Sequence, residues 1–146
     1  MHEVIIETTE HQRQMGDYGT AQMEQVITMY RDRFLHYSRE RKLAYIIIFK
    51  NEGIQAGATL DHPHTQLIAL PVVPQNIREE LEASESYHRK KSGCIYCDLV
   101  EKEEEQKLRI ISVNQHFVSL SAWAARFPFE SWIIPRAHQA RFENLE

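Results

Sequence analysis

The sequence has few cysteines, no excess of positive charge and no long apolar run. Its 146 residues include two cysteines, five glycines and five prolines, and the formal net charge is -4. Because basic residues are not in excess, the charge of the chain gives no reason to expect nucleic-acid binding. No apolar run approaches the roughly 20 residues that a membrane helix needs, so we expect no membrane insertion. The length suits one domain that buries a core without crosslinks.

The N-terminal residues also lack the features of a secretory signal. They read Met-His-Glu-Val-Ile-Ile-Glu, without a basic region followed by a long apolar core. The sequence therefore predicts a cytoplasmic protein.

Hydrophobic patterning predicts an α+β fold. Apolar residues at spacings of three and four predict a helix over 20–39, with Thr20 as its N-cap. The β-branched run at 43–50 predicts a central buried strand, antiparallel to a strand over 61–70. The charged segment 98–107 is expected to form an exposed short helix or loop. The remaining expected elements are a helix over 75–91 and strands over 3–8, 108–113, 116–122 and 129–134.

The segment Asn51–Gln66 contains a glycine turn followed by a row of polar residues. His62, His64 and Gln66 stand at every second position, so a strand would place them on one face. Histidine Nε2 is a good phosphoryl nucleophile when the other ring nitrogen is held as a donor. The backbone N–H groups of the glycines in the turn are not shielded by a side chain, so they could approach a phosphate. The opposite face carries residues suited to a core, namely Pro63, Thr65, Leu67 and Ala69.

Cys94 and Cys97 form the chain's single Cys-x-x-Cys, which is typical of a metal site or a redox pair. A thioredoxin-like pair would follow a strand directly, and none is predicted there. His138 could supply a third ligand to tetrahedral zinc. The fourth would be His116, water or a group outside this chain. His11, considered alone, is more typical of a surface histidine.

Several motifs together resemble one family. Asn51–Gln66 closely resembles the active-site signature of galactose-1-phosphate uridylyltransferases, a branch of the histidine-triad superfamily. Three further segments resemble family segments in family order: His2–Glu7 with His11, then Cys94-x-x-Cys97, then Ala125–His138. The resemblance covers essentially the whole chain. Within the family, the resemblance is stronger to the bacterial and archaeal type and to the plant ADP-glucose phosphorylases.

The resemblance implies a ping-pong nucleotidyl transfer. His64 would attack the α-phosphorus of UDP-glucose, expel glucose 1-phosphate and carry the uridylyl group. Galactose 1-phosphate would then accept that group to give UDP-galactose. The implied partners are thus a UDP-hexose and a hexose 1-phosphate, and a homodimer is possible.

The resemblance also implies the residues that bind the phosphate groups. Gln66 would hydrogen-bond a phosphate oxygen. Asn51 and the backbone of Gly57, Ala58 and Thr59 would line the phosphate site. The family usually has serine where this chain has Thr59, and the hydroxyl group is retained.

Two zinc sites are implied in the same way. His62 becomes a zinc ligand with His11, and the other two ligands would come from a Cys-x-x-Cys upstream of His11. The second site would use Cys94, Cys97 and His138, with its fourth ligand nearer the C-terminus. This chain contains neither the upstream cysteines nor the later ligand, so we expect it to be the central part of a longer enzyme.

The expected architecture is a histidine-triad-like antiparallel sheet with packed helices, built from parts of two structural repeats. Residues 1–74 would end the first repeat and carry the active-site motif, 75–93 would form a connecting helix, and 94–146 would begin the second repeat. Two alternatives keep the nucleotidyl chemistry: an adenylyltransferase acting on ADP-glucose, and a nucleotidyl hydrolase. A third alternative is a zinc-binding fragment without catalysis.

Overall fold

The computed structural model describes residues 1–145, which form two compact units. The first unit is Met1–Pro74, and the second begins at Gln75. Each contains a three-stranded antiparallel sheet, and the described residues include three α-helices. The predicted α+β class with antiparallel sheets is confirmed. That the units are parts of two structural repeats stays a prediction.

The first unit has one helix and one sheet. The strands are β1 (His2–Ile6), β2 (Tyr45–Phe49) and β3 (His64–Leu70), and the helix is α1 (Thr20–Ser38). The sheet order is β1-β3-β2, with antiparallel pairing throughout. Short 3-10 turns lie at Met15–Asp17 and Ile54–Ala56.

Helix α1 confirms the predicted periodicity but not the predicted cap. Val26, Tyr30 and Tyr37 are buried, and their spacings of four and seven keep them on one face. The prediction of Thr20 as N-cap was wrong. Gly19 has the extended backbone of the capping position, and Thr20 is the first helical residue.

The core of the first unit lies on the predicted face of β3. Leu67 and Ala69 are fully buried and form a cluster with Tyr37. This confirms the side-chain alternation inferred for that strand. The prediction of a central position for the segment 43–50 was wrong, because β1 and β2 both pair with β3. As part of an outer strand of this sheet, Ile47 remains 38% exposed.

Strand β3 begins three residues later than expected, at His64 rather than residue 61. His62 therefore precedes the strand and does not belong to a regular row with His64 and Gln66. Its backbone carbonyl accepts a hydrogen bond from the His64 ring, and its imidazole bonds to the carbonyl of Thr8, 54 residues earlier in the sequence. The expected single row of three polar residues on one strand face is thus reduced to His64 and Gln66.

The second unit repeats the combination of helices and an antiparallel sheet. Its helices are α2 (Gln75–Lys91) and α3 (Ile95–Gln106), and its strands are β4 (Ile110–Val113), β5 (Phe117–Ser121) and β6 (Ser131–Pro135). The sheet order is β4-β5-β6. Val100 of α3 packs with Val118 and Leu120 of β5 to form the core.

Helix α3 corrects the expectation that 98–107 is an exposed acidic segment. Val100 and Glu103 are both buried, because positions three apart share one face of a helix. The Glu103 carboxylate accepts hydrogen bonds from the Arg109 guanidinium at 2.7 and 2.5 Å. A charge within the acidic run therefore belongs to the interior of this unit.

None of the helices formed by residues 1–145 combines the length and the apolar composition needed to cross a membrane. The cytoplasmic location and the homodimer stay predictions from the sequence.

Candidate functional site

A cavity of about 360 Å³ lies in the first unit, next to the start of β3. Three histidines, His11, His62 and His64, line it. Its lining includes two basic residues, Arg13 and Lys50, and two acidic residues, Glu52 and Asp61. The other lining residues are Gln12, Gln14, Asn51, Gly53, Ile54, Ala58, Leu60 and Pro63. The structure thus brings together in one cavity the predicted nucleophile, His64, and the two predicted zinc ligands His11 and His62.

His64 is held in one tautomer by its own chain. Its Nδ1 lies 2.8 Å from the backbone carbonyl oxygen of His62. A carbonyl oxygen only accepts, so Nδ1–H donates and the neutral ring carries a lone pair on Nε2. The residue is 6% exposed, which restricts the imidazole to few orientations. This is the form of histidine that can attack an electrophilic phosphorus.

The glycine loop takes its shape from two residues with positive φ. Gly53 has φ +80° and Gly57 has φ +85°, a conformation that other residues rarely adopt. Asn51 and Ala58 line the cavity, whereas Gly57 and Thr59 lie outside its lining. The sequence therefore identified a loop beside the cavity, and its role in phosphate binding stays a prediction.

Gln66 also lies outside the lining of the cavity. Strand alternation places it on the same face of the sheet as His64. Its side-chain oxygen Oε1 lies 3.0 Å from His2 Nε2. The sequence predicts no role for His2, which has the character of a surface histidine.

The imidazole rings of His11 and His62 approach each other through their Nδ1 atoms. The two Nδ1 atoms are 3.2 Å apart. His62 Nε2–H donates to the carbonyl oxygen of Thr8 over 2.7 Å, so its Nδ1 is free to act as an acceptor or a ligand. Two ligands of a tetrahedral site with metal–nitrogen bonds of about 2.0–2.1 Å would be about 3.3 Å apart. The pair therefore fits one edge of a metal site.

Cys94, Cys97 and His138 form a second group of potential metal ligands. Their ligand atoms all lie within 4.8 Å of one another, and Cys97 Sγ is 3.2 Å from His138 Nδ1. Cys94 is the N-cap of α3, and Cys97 follows in the first turn. His138 comes three residues after the end of β6. These three residues could hold a metal ion.

The redox alternative for the two cysteines has less support. Burial and the nearby Cys94 thiol raise the pKa of Cys97 above its usual value. A redox-active or nucleophilic cysteine generally needs a lowered pKa, because the thiolate is the reactive form. A metal ion would favour the thiolate directly.

A buried polar cluster beside the cavity was missed in the sequence. The Glu7 carboxylate accepts hydrogen bonds from the hydroxyl groups of Tyr18 at 3.0 Å and Tyr30 at 2.9 Å. It also accepts one from Thr65 and one from the Lys50 ammonium at 2.5 Å. Position 7 falls on the inward-facing side of the first predicted strand. A charged residue at an inward-facing position was the one feature of the sequence that could have predicted this buried cluster.

These contacts determine the ionisation of Glu7. Burial alone would raise its pKa, but the four donors, led by Lys50, bring the pKa of Glu7 below its usual value. Burial is also the main cause that raises the pKa of Tyr18, to about 12, with its bond to Glu7 adding to the effect. Glu7 is thus a buried carboxylate that remains charged near neutral pH.

Comparison with known proteins identifies the family. Residues 1–73, half of the chain, match the family model described as the N-terminal domain of DUF4931, a domain of unknown function. The chain belongs to this family. Its homologues include galactose-1-phosphate uridylyltransferases, so the resemblance inferred from the motifs is confirmed.

Two curated relatives and one solved structure show the extent of the similarity. The ADP-glucose phosphorylase of Arabidopsis thaliana is 34% identical over 99% of this chain and 40% of its own length. The galactose-1-phosphate uridylyltransferase of Thermotoga maritima is 34% identical over 93% of this chain and 42% of its own length. The structure of the Arabidopsis thaliana phosphorylase with bound ADP-glucose has a TM-score of 0.90 and 34% identity, covering 99% of this chain and 46% of that one.

The chain therefore spans about two fifths of the length of these curated relatives. The relatives themselves are named as a phosphorylase and as uridylyltransferases.

Proposed function

We propose that this chain carries the nucleotidyl-transfer site of a hexose-1-phosphate uridylyltransferase, with His64 as the nucleophile. The observation that carries the proposal is the hydrogen bond from His64 Nδ1–H to the His62 carbonyl, which leaves a lone pair on Nε2 in a histidine-lined cavity. The homologous uridylyltransferases support the reaction class. The substrates are a UDP-hexose and a hexose 1-phosphate.

The proposed reaction has two displacements at one phosphorus atom. His64 Nε2 forms a bond to the α-phosphorus of UDP-glucose, and the bond from that phosphorus to the bridging oxygen breaks. Glucose 1-phosphate leaves with the electron pair of that bond. A phosphate oxygen of galactose 1-phosphate then attacks the same phosphorus, the phosphorus–nitrogen bond breaks, and its electron pair returns to His64. The product is UDP-galactose.

The remaining predicted residues would bind the phosphate groups. Gln66 would donate from its amide to a phosphate oxygen, which stabilises the developing charge without adding a full positive charge. Asn51 and the loop residues Gly57, Ala58 and Thr59 would surround the same phosphates. The N–H groups of Gly57 and Ala58 donate within the loop to the carbonyl oxygens of Ile54 and Gly53 at 3.0 and 3.2 Å, so binding a phosphate through them would require these bonds to open.

Zinc is the proposed metal at both sets of ligands. Two cysteines and one histidine, Cys94, Cys97 and His138, are the soft donors that favour zinc in a tetrahedral site. His11 and His62 would supply two ligands of another site. Zinc would act structurally at both, and together with His11 it would hold His62, whose carbonyl orients the His64 ring.

A second candidate function is suggested by the Arabidopsis thaliana relative. An ADP-glucose phosphorylase would use the same histidine with an adenylyl group and with phosphate as the acceptor. A hydrolase would use water in the second displacement. A non-catalytic zinc-binding fragment would form no covalent intermediate.

The covalent intermediate provides the direct test. The folded chain would be incubated with UDP-glucose or with ADP-glucose, each labelled at the α-phosphorus, and analysed for a labelled adduct that acid releases. We expect an adduct with UDP-glucose that is absent in His64→Ala. His36→Ala is the matched control, since His36 is an exposed histidine of α1 outside the cavity.

Each outcome separates the candidates. An adduct formed only from ADP-glucose would favour the adenylyl alternative. Release of the label by galactose 1-phosphate, phosphate or water would identify the acceptor. No adduct from well-folded chain with either donor would refute catalysis by this chain, and an adduct that persists in His64→Ala would refute His64 as the nucleophile.

A further inference from the structure

His2 and Gln66 are diagonal neighbours on one face of the first sheet. In the antiparallel pair of β1 and β3, His2 lies opposite Ile68 and Val4 lies opposite Gln66. Alternation along β3 places His64 on this same face, two positions before Gln66. His2 Nε2 is 3.0 Å from Gln66 Oε1. The two side chains therefore meet across the strands, next to the proposed nucleophile.

The chemistry of the two groups gives this hydrogen bond a direction. An amide oxygen only accepts, so the imidazole of His2 donates its Nε2–H to Gln66. With Oε1 held, the NH₂ end of the carboxamide faces away from His2. Val4, opposite Gln66, is apolar and offers no substitute donor.

We propose that His2 is a positioning residue that fixes the carboxamide of Gln66 with its NH₂ end available to the substrate phosphate. This rests on the proposed function, in which Gln66 donates to a phosphate oxygen. Phosphate oxygens of a bound nucleotide only accept, so the reversed carboxamide would place Oε1 against them. In its Nε2–H tautomer, His2 offers a donor that pairs with Oε1 and not with the NH₂ end, so this tautomer holds the carboxamide in the required orientation. The group is then oriented before substrate arrives, which avoids an ordering cost at the moment of reaction.

The first test compares two substitutions of His2. His2→Phe keeps an aromatic ring but has no N–H donor, and we expect it to slow labelling of His64 from saturating UDP-glucose by roughly fivefold, as loss of one ordinary hydrogen bond implies. His2→Gln supplies an amide donor and should restore most of the rate. A merely structural role for His2 would not be rescued by a donor of different shape.

A double-mutant cycle links the effect to Gln66. In a Gln66→Ala background, His2→Phe should cause no additional loss of rate, because the group it orients is absent. Val4→Ala is the matched control on the same strand face and should leave the rate unchanged. Equal rates for wild type and His2→Phe, or fully additive losses in the cycle, would overturn the proposal.

A second measurement decides the proposal even if no adduct forms. The side-chain NH₂ signals of Gln66 would be followed by ¹⁵N NMR during titration with UMP or AMP. We expect these signals to shift in the wild-type chain and to shift much less in His2→Phe. No shift in wild type, or the same shift in both proteins, would contradict the role of His2. The absence of an adduct would count separately against the proposed transferase function.

Discussion

The Lys50 ammonium lies 2.5 Å from the carboxylate of Glu7, whose side chain is fully buried. Glu7 immediately follows β1, and Lys50 immediately follows β2. Because Thr65 of β3 and Tyr30 of α1 donate to the same carboxylate, one buried charge connects four elements of the first unit. Lys50 also lines the histidine cavity, so the ion pair supports the wall of the candidate site.

Replacing Lys50 tests the importance of this pair. Lys50→Met removes the cation and leaves the Glu7 carboxylate buried without a charged partner. We expect the free energy of unfolding to fall by about 3 kcal/mol, within the range for breaking a buried ion pair. Urea unfolding followed by far-UV circular dichroism would measure it.

Arg89→Met provides the control for Lys50→Met. The Arg89–Glu85 pair lies on α2 with side chains 65% and 66% exposed, so its loss should cost less than about 0.5 kcal/mol. A cost for Lys50→Met that is as small as this control would show that hydroxyl donors alone sustain the Glu7 charge. Adding Glu7→Gln to Lys50→Met should recover part of the loss, since the buried charge is then removed.

The stability of the second unit should depend on the ionisation of Glu130. The backbone N–H of Arg126, the Trp132 indole and the Arg126 guanidinium lower the pKa of Glu130 from 4.5 to about 2. A folded-state pKa below the unfolded value adds stability that is fully present above about pH 4.5 and is lost as pH falls towards about 2. Unfolding free energies across this pH range would show the slope.

Tryptophan fluorescence suits this measurement, because Trp123 and Trp132 are the chain's two tryptophans and both lie in the second unit. Glu130→Gln should be less stable than wild type at pH values above 4.5 and should lose less stability on acidification. The same acid slope in both proteins would contradict the assignment of that slope to Glu130.

Periodicity correctly predicted which face is buried in elements that have one apolar face and one exposed face. The buried residues of α1 and the alternation of Thr65, Leu67 and Ala69 followed from spacing alone, because apolar burial decides which face turns inward. The Cys-x-x-Cys spacing and His138 also predicted a group that the structure brings together. Local spacing specified the buried faces of the helix and the strand, whereas His138, 41 residues from Cys97, was predicted from its ligand chemistry.

The errors arose where a partner outside the local hydrophobic pattern decides the position of a residue or strand. Glu103 is buried because Arg109 neutralises it, and a run of acidic residues does not reveal which one has such a partner. The outer position of β2 follows from pairing of the N-terminal strand with β3. His62 leaves the strand row because its imidazole bonds to the carbonyl of Thr8.

Truncating Leu67 tests the core beneath the site. Leu67 is 0% exposed and packs with Tyr37 of α1, so Leu67→Ala should leave a cavity and cost about 3 kcal/mol of unfolding free energy. Ile54→Ala is the control, because Ile54 is 88% exposed and its truncation should change stability by less than about 0.5 kcal/mol. Urea unfolding measures both. Similar small losses would mean that the first unit does not depend on this cluster.

Metal content tests the arrangement of Cys94, Cys97 and His138. Zinc per chain, measured by atomic spectroscopy after dialysis, should be at least about one for wild type and should fall by about one equivalent in Cys94→Ser and in His138→Ala, since each removes a ligand of this group. A chelator should lower the unfolding midpoint of the second unit, followed by tryptophan fluorescence, because the ion would connect α3 to the segment after β6.

His88→Ala is the matched control for His138→Ala. His88 lies on α2, and its ring bonds to the carbonyl of Gly93 without taking part in the cysteine group. It should leave the zinc content unchanged. Well under one zinc per chain in wild type, with no change in Cys94→Ser, would show that these residues approach one another without binding zinc. Loss of zinc in His138→Ala but retention in His88→Ala would distinguish a ligand from a histidine that merely supports the fold.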